Sequence, residues 1–556
     1  MKSFIFPFCL FCFSLILDKS LAQNSELCKY VNTFIGTQKM GHTFPGACVP
    51  FGMVQLSPDT DTLAYLSNGK YNPDVYRYCA GYQYDDQSII GFSHTHFSGT
   101  GHSDLGDFLL MPGTGALHLH PGIAGQTGSG YRSAFKHENE KSQPGYYQVL
   151  LDDYHIQAEL TASERVGFHQ YTFPKSDSAH LVLDLGYGLY NYADKSVWCV
   201  ARVENDTLIT GYKQSVGWAR TRTLYFAMVL SKPLRSYGSN NPAKNEAYKG
   251  FWRKFDQSKN FPDLAGRDLK LYVDFKTEAQ EKIKIKFAIS AVSIDGAIMN
   301  LKEEIPHFDF EKTKKEAELK WEKELLKVHI EAEDKVKTNF YTAMYHAFIS
   351  PNIFMDVDHQ YKGLDYRIHR ADNFNNYSTF SLWDTYRSLH PLFNIIQTNR
   401  NQNMVQSMLA HYDQSALHML PIWSHFGNDN WCMSGYHATS VIVDALIKNG
   451  NFVDARKALN ACVNTAEKSN YEGIGDYMRM GYVPMESSRI SVSNTLEYAY
   501  DDWCIAQLAK RVNDTVIYEK FLNRSKNYIN VFDVKSGFVK AKNLKGEFIK
   551  QFDALS

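Results

Sequence analysis

Glu497 and Asp501 stand four residues apart in a segment whose side chains have the types and spacing for acid–base work. Val492, Leu496, Ala499, Trp503 and Ala506 recur there on one helical stripe, which predicts an amphipathic helix over roughly residues 493–511. Glu497 falls one residue off that stripe. A carboxyl at such a boundary is partly desolvated, and desolvation raises its pKa towards the range an acid catalyst needs. The spacing also has a structural reading, with Asn494 capping the helix and Glu497 at its third position in a box-like cap. Asp501, one turn on, orients the acid or binds substrate, or else belongs to a solvated charged face.

Two further groups invite a chemical reading. Trp383 and Asp384 open a predicted helix, Asp384–Thr398, with Arg387 one turn on and able to hold Asp384 by a charge-assisted hydrogen bond. The structural alternative for Asp384 is an acidic residue favoured by the helix dipole. His94 and His96 are two apart, so on a strand both project to one face, and His102 and Asp104 follow closely. That set resembles metal ligands and would suit a His/Asp metallohydrolase. The alternative is that the imidazoles shape a substrate-facing loop or satisfy buried backbone groups.

The elements that must carry these residues change character along the chain. From about 142 to 305 the pattern has period two: Ile283, Ile285, Phe287 and Ile289 alternate with Lys282, Lys284 and Lys286, the mark of a half-buried strand. Similar runs at 147–151, 181–185 and 224–230 predict a β-sandwich. Residues 30–140, rich in Gly, Pro and His, are expected to be ordered loops over short strands. Residues 311–326 pair opposite charges four apart (Glu311 with Lys315, Glu316 with Lys320), which predicts an exposed helix and a linker at 306–335. Beyond it the period is helical, at roughly 336–350, 384–399, 401–415, 438–449, 452–468, 493–511 and 515–530.

Composition narrows the class. With 59 basic and 60 acidic residues, nothing points to a nucleic-acid partner. Lys2, the apolar run 4–17 and Ser20-Leu21-Ala22 predict an export signal over residues 1–22, and hence a secreted or periplasmic chain starting near Gln23. No later segment is apolar enough to span a bilayer. Nine cysteines are present, and Cys9 and Cys12 leave with the signal. The seven that remain form no CxxC pair, which argues against zinc ribbons and thioredoxin chemistry, and no disulfide is assigned. Abundant Tyr and Trp in polar segments provide apolar faces edged with hydrogen-bonding groups, which suit sugar rings as well as a large core.

Three long strings carry a resemblance. They are Phe34-Ile-Gly-Thr with Gly41-His-Thr-Phe-Pro-Gly-Ala through Asp59; Gly91-Phe-Ser-His-Thr-His-Phe-Ser-Gly-Thr-Gly-His through Asp107; and Phe380-Ser-Leu-Trp-Asp-Thr-Tyr-Arg387, Gly435-Tyr-His437 and Ser493-Asn-Thr-Leu-Glu-Tyr-Ala-Tyr-Asp-Asp502. In order and content they resemble glycoside hydrolase family 92. The resemblance implies a multidomain β + α fold, an N-terminal β-sandwich (23–305) followed by an (α/α)6 toroid (336–556). It also implies calcium-dependent, exo-acting hydrolysis of α-mannosides with inversion.

Several roles follow from that likeness. Glu497 matches the general acid, while Trp383 would pack on the terminal mannose and Asp384 would accept from its hydroxyls. Arg387, Asp501, His94 and His96 are expected around the substrate, and the likeness favours that use of the histidines over a transition-metal site. Inversion needs a second carboxyl roughly 6.5–9.5 Å from the acid. The Gly-Asn-Asp-Asp string expected for it is not found, and Gly427-Asn-Asp-Asn430 lies upstream of the acid, in the wrong order. The base and the calcium ligands are therefore expected beyond Ser556, no metal residue is named, and the toroid is expected to be partial, with apolar helix faces uncovered. The leading expectation is an exo-α-mannosidase favouring α-1,2 links of mannose-rich glycans. A carbohydrate-binding remnant of such an enzyme is second and a metallohydrolase third.

Overall fold

The computed structural model describes residues 26–551 and 553, apart from 62, 103, 191, 193, 243–253 and 258. The export signal at 1–22 and the mature start near Gln23 lie outside the described residues. Two compact units divide at Asp358/His359.

In the first unit the period-two pattern builds two antiparallel sheets. One runs in the order Ala47–Cys48, Gln55–Asp59, Gly91–Ser93, Leu109–Gly113, Ser176–Asp184, Lys270–Thr277, Ser236–Asn240. The other runs Asp263–Gly266, Ser196–Val203, Leu208–Ser215, Arg222–Leu230, Glu281–Ser290, Val166–Phe173, Ile156–Ala162, Tyr146–Leu151, Lys141–Gln143. Their inner faces meet through aromatic rings. Phe92 lies 6.2 Å from Tyr171 and Phe108 lies 5.1 Å from Phe226, centroid to centroid, so the β-sandwich expectation stands.

Strand Glu281–Ser290 alternates as its sequence demands up to Ile285, then is buried on both faces. The outer face is covered by helix Ile294–Glu304, whose Ala297 and Leu301 join Val166, Phe168, Ala227, Ala288, Ile305 and Phe310 in one cluster. Lys286 survives there by donating Nζ to the Ile305 carbonyl at 2.8 Å. Burying an ammonium is tolerable only with such a partner.

The linker helix is real, Phe310–Leu325, but it is not an exposed connection. Phe310, Ala317, Trp321 and Leu325 are buried on one stripe, and Trp321 donates its indole N–H to the Cys48 carbonyl at 2.7 Å. The charge pairs also differ from expectation: Lys320 reaches Glu164 (2.8 Å) and Lys315 reaches Glu318 (2.9 Å). Helix Asp334–Ala347 also belongs to this unit, its Tyr345 packed 4.4 Å from Trp321. The compact division therefore falls later in the chain than the change of periodicity.

The second unit is helical. Among its described residues are the α-helices Leu382–Thr385, Leu389–Ile396, Thr398–Gln414, Ala438–Asn449, Ala455–Ala466, Ile474–Met480, Ser491–Arg511 and Thr515–Arg524. No helix among the described residues is long and apolar enough to cross a membrane. The predicted helix Asp384–Thr398 is in fact two. Pro391 in a continuous helix would clash with the Arg387 carbonyl, so the chain turns at 386–388 and restarts at Leu389. The seven described cysteines are all unpaired, six of them buried.

Candidate active site

The helical unit brings together Trp383, Tyr386, Arg387, His437, Glu497 and Asp501. Strand Phe380–Ser381 pairs with Trp423–His425, which sets the start of helix Leu382–Thr385. Asp429 folds the next hairpin by accepting the N–H groups of Ile422 (2.9 Å), Trp423 (3.1 Å) and Trp431 (2.9 Å). Its carboxylate is occupied in building the loop, a physical reason not to read Asn428-Asp429-Asn430 as a catalytic base. The loop then enters helix Ala438–Asn449 through Gly435, Tyr436 and His437. Gly435 has φ +83°, open to glycine, and a Cβ there would stand 2.3 Å from His437 Nε2.

Helix Ser491–Arg511 supplies the carboxylates. Of the predicted stripe Ala499 and Ala506 are buried, but Val492, Leu496 and Trp503 are not; the buried face is instead completed by Asn494, Thr495, Tyr498, Asp501, Asp502, Ile505, Leu508 and Ala509. Trp503 is 49% exposed. The difference arises because polar side chains here are packed and satisfied. Asp502 accepts from Tyr436 and Tyr477 hydroxyls at 2.8 Å each and pairs with Arg524 at 3.1 Å. The capping alternative fails as well: the helix begins at Ser491, and Asn494 lies inside it, donating to Ser488 Oγ at 3.0 Å.

Glu497 keeps 16% of its side chain exposed and is ringed by donors. The Trp383 indole N–H donates to Oε1 at 3.1 Å and the Tyr386 hydroxyl to Oε2 at 3.3 Å. Arg387 Nη2 stands 3.5 Å from Oε1, and His437 Nε2 stands 3.3 Å from Oε2. Burial would raise this carboxyl, but His437, then Trp383 and Arg387, outweigh it and hold the pKa below the usual value. The sequence expectation was the opposite, because desolvation was visible there and the donors were not.

Arg387 does not hold Asp384. Its Nε donates to the Trp383 carbonyl at 3.1 Å, and its guanidinium lies 4.8 Å from both the Trp383 and Tyr386 ring centroids. Asp384 is exposed and accepts from the Ser381 hydroxyl. Asp501 is fully buried, so it offers no surface to substrate; it accepts from the Tyr436 N–H (2.8 Å) and from His437 Nδ1 (3.0 Å). Burial raises its carboxyl, partly offset by His437. His437 shows the reverse balance. Burial opposes its charge, yet Asp501 and then Glu497 prevail and raise it to about 9.

His94 and His96 lie past the end of strand Gly91–Ser93 and are buried in the first unit, 0% and 2% exposed. His94 bonds the Phe108 carbonyl (2.7 Å) and His169 (3.0 Å); His96 bonds Asp59 and the Gln55 carbonyl at 3.0 and 2.8 Å. Interior partners consume both rings, so they present no face to a substrate in this unit. His102 stacks on Trp218 at 3.8 Å, and Asp104 accepts the Ala219 N–H at 3.1 Å. Among the described residues no group of three or more His, Cys, Asp or Glu side chains is placed to hold a metal ion, so neither a zinc nor a calcium ligand set is assigned.

His437 and Tyr386 lie in the quoted strings but were given no role from sequence. Tyr386 had a signal, since it lies three residues after Trp383 and so on the same helical face. His437 stood in the Gly435-Tyr-His437 string but received no role, because its partners are some 60 residues away in sequence.

Comparison with known proteins gives this geometry a lineage. Residues 30–290 match the Glycosyl hydrolase family 92 N-terminal domain and residues 296–556 the Glycosyl hydrolase family 92 catalytic domain. A family GH92 α-mannosidase of Bacteroides thetaiotaomicron, solved with mannoimidazole, is 42% identical, with TM-score 0.88 over 95% of this chain and 67% of its own. A family GH92 inverting mannosidase of Bacteroides thetaiotaomicron VPI-5482 is 26% identical, with TM-score 0.81 over 96% of this chain and 68% of its own. An uncharacterized secreted glycosidase of Arthroderma benhamiae is 24% identical over 95% of this chain and 66% of its own length. The chain thus spans about two thirds of the length of these relatives. Two family domains matched in sequence over nearly the whole chain, and a fold shared at 42% identity, show that the chain belongs to glycoside hydrolase family 92.

Proposed function

We propose that this protein acts as an exo-α-mannosidase on terminal α-mannosides, with inversion and with Glu497 as general acid. The observation that carries the reading is one partly exposed carboxylate surrounded by an indole N–H, a phenol, a guanidinium and an imidazole. Donors so placed stabilise the carboxylate that forms as Glu497 gives its proton to the leaving oxygen. Trp383 and the exposed Asp384 are the proposed contacts to the ring and hydroxyls of the terminal mannose. The base is assigned to no described residue.

Kinship with the two mannosidases supports the substrate class, and the inverting relative supports the stereochemistry. We further propose α-1,2-linked, mannose-rich glycans as substrates. The site of action is outside the cytoplasm, in keeping with the secreted relative and the apolar N-terminal run. Calcium dependence is proposed from family membership, with no residue of this chain assigned to it.

The deciding experiment is Glu497→Gln, assayed on α-1,2-mannobiose with and without a calcium chelator. Loss of at least a hundredfold in kcat/KM is expected, at the low end of what general acid catalysis supplies, ~10²–10⁴-fold. A Glu497→Gln protein with undiminished turnover would remove the assignment. Binding of mannobiose without turnover by the unaltered protein would favour the carbohydrate-binding reading.

A further inference from the structure

We propose that His437 is a positioning residue for the acid, presenting its buried Nε2–H to Glu497 while Asp501 fixes the ring from the other side. The proposal rests on the reading of Glu497 as the acid. Three contacts determine the ring. Nδ1 stands 3.0 Å from Asp501 Oδ1, which fixes that nitrogen as a donor. Tyr386 stacks on one face at 4.0 Å and 16°. Gly435, with no side chain, leaves the space that Nε2 fills. Nε2 is sealed from water and, among the described residues, has no partner in hydrogen-bond geometry; Glu497 Oε2 approaches it at 3.3 Å, within ion-pair distance.

A buried donor left with so little is costly unless it serves a changing partner. Glu497 is such a partner, since its charge changes each time it takes up and gives away the proton of an acid catalyst. An imidazolium 3.3 Å away stabilises that product of proton transfer more than the protonated acid, which is the condition for lowering a barrier.

The ionisable groups facing His437 are Glu497, Tyr500 and Asp501 from helix Ser491–Arg511 and Tyr386 from the turn at 386–388; Arg387 reaches the other oxygen of Glu497. Cys462 and Cys504 lie within electrostatic reach of Asp501, and burial raises both thiols, keeping them neutral. His437 is thus a buried cation held against the acid, with Asp501 as its counterion, while the half-exposed Arg387 approaches from the other side.

The test uses His437→Gln and Asp501→Asn in the full chain, with Tm recorded for each. Carbon-13 NMR titration of the Glu497 carboxyl is expected to move up by about one unit or more in both variants, the size expected when an opposite charge within ~4–6 Å is lost. A carboxyl that titrates unchanged in a folded His437→Gln protein overturns the proposal. The kinetic counterpart compares α-1,2-mannobiose, whose leaving sugar needs a proton, with 2,4-dinitrophenyl α-mannoside, whose leaving group does not. His437→Gln is expected to slow the first at least tenfold more than the second and to shift the basic limb of its pH profile upward. Equal slowing of both substrates would mark a structural role and also overturn it. If Glu497→Gln leaves mannobiose turnover intact, the reading of the acid fails instead, and the NMR titration still decides whether His437 and Glu497 are coupled.

Discussion

Asp384 and Glu497 sit close in the fold but in different electrostatic settings, and that difference assigns them different work. Glu497 is largely enclosed and ringed by donors, whereas Asp384 is exposed and accepts from the Ser381 hydroxyl. A carboxylate so little engaged by protein can take hydroxyls from a ligand. Asp384→Asn keeps the shape and removes the charge. It is expected to lower kcat/KM on α-1,2-mannobiose by ~10–100-fold, the range of a hydrogen bond to a charged group, ~1.5–3 kcal/mol. Full retained rate would exclude the sugar role. At this scale the sequence was informative where long strings exist and silent where the meaning depends on distant partners. Glu497 and Trp383 were legible. Asp501 was read as a possible substrate ligand because its burial depends on Tyr436 and His437, which approach it only in the folded unit. Arg387 was paired with the wrong carboxylate for the same reason.

The elements explain why the site holds together. Adjacent carboxylates on helix Ser491–Arg511 pin adjacent residues of the loop: Asp501 takes the Tyr436 N–H and the His437 ring, and Asp502 takes the Tyr436 hydroxyl. The loop reaches that position through Gly435, so Gly435→Ala is a sharp probe. Its φ of +83° is strained for any other residue, at about 1–3 kcal/mol, and the new Cβ would lie 2.3 Å from His437 Nε2. Gly450, at the end of helix Ala438–Asn449, has φ +82° with nothing within 4 Å of an added Cβ. Both alanine variants are expected to lose stability by denaturant unfolding, Gly435→Ala the more because its Cβ must also displace the buried ring. Only Gly435→Ala should also lose mannobiose turnover more than dinitrophenyl mannoside turnover. Equal kinetics in the two variants would show that the loop tolerates displacement of His437. Period-two strands and helix positions were readable here because burial follows sequence spacing. The stripe on Ser491–Arg511 was legible only at Ala499 and Ala506, since spacing counts apolar residues and this helix also buries Asn494, Thr495, Asp501 and Asp502.

Across the whole molecule, buried histidines are stationed with opposite charge states, and the pH dependence of stability should record it. In the first unit His94 and His169 face each other at 3.0 Å with no room for two protons. Burial lowers His94 to about 3, and burial with His94 nearby lowers His169 well below its usual value. Both are neutral in the fold, while the unfolded chain takes up protons below about pH 6.5. Their contribution is therefore complete above that pH and is lost as pH falls from 6.5 towards 3. In the second unit His390 follows the same rule, lowered by burial to about 4, but His437 inverts it. Raised to about 9, His437 keeps a proton in the fold that the unfolded chain releases above 6.5, so its stabilisation is complete below 6.5 and lost as pH rises through 9. Calorimetry between pH 4 and 9 on the unaltered protein, His94→Gln/His169→Gln and His437→Gln separates the contributions. The double variant should flatten the acid side and leave the alkaline side unchanged; His437→Gln should do the reverse. A slope between about pH 6.5 and 8, below the range of the buried thiols, that is no smaller without His437 would mean that Asp501 and Glu497 do not hold an imidazolium between them, and would remove the charge on which the positioning of the acid depends.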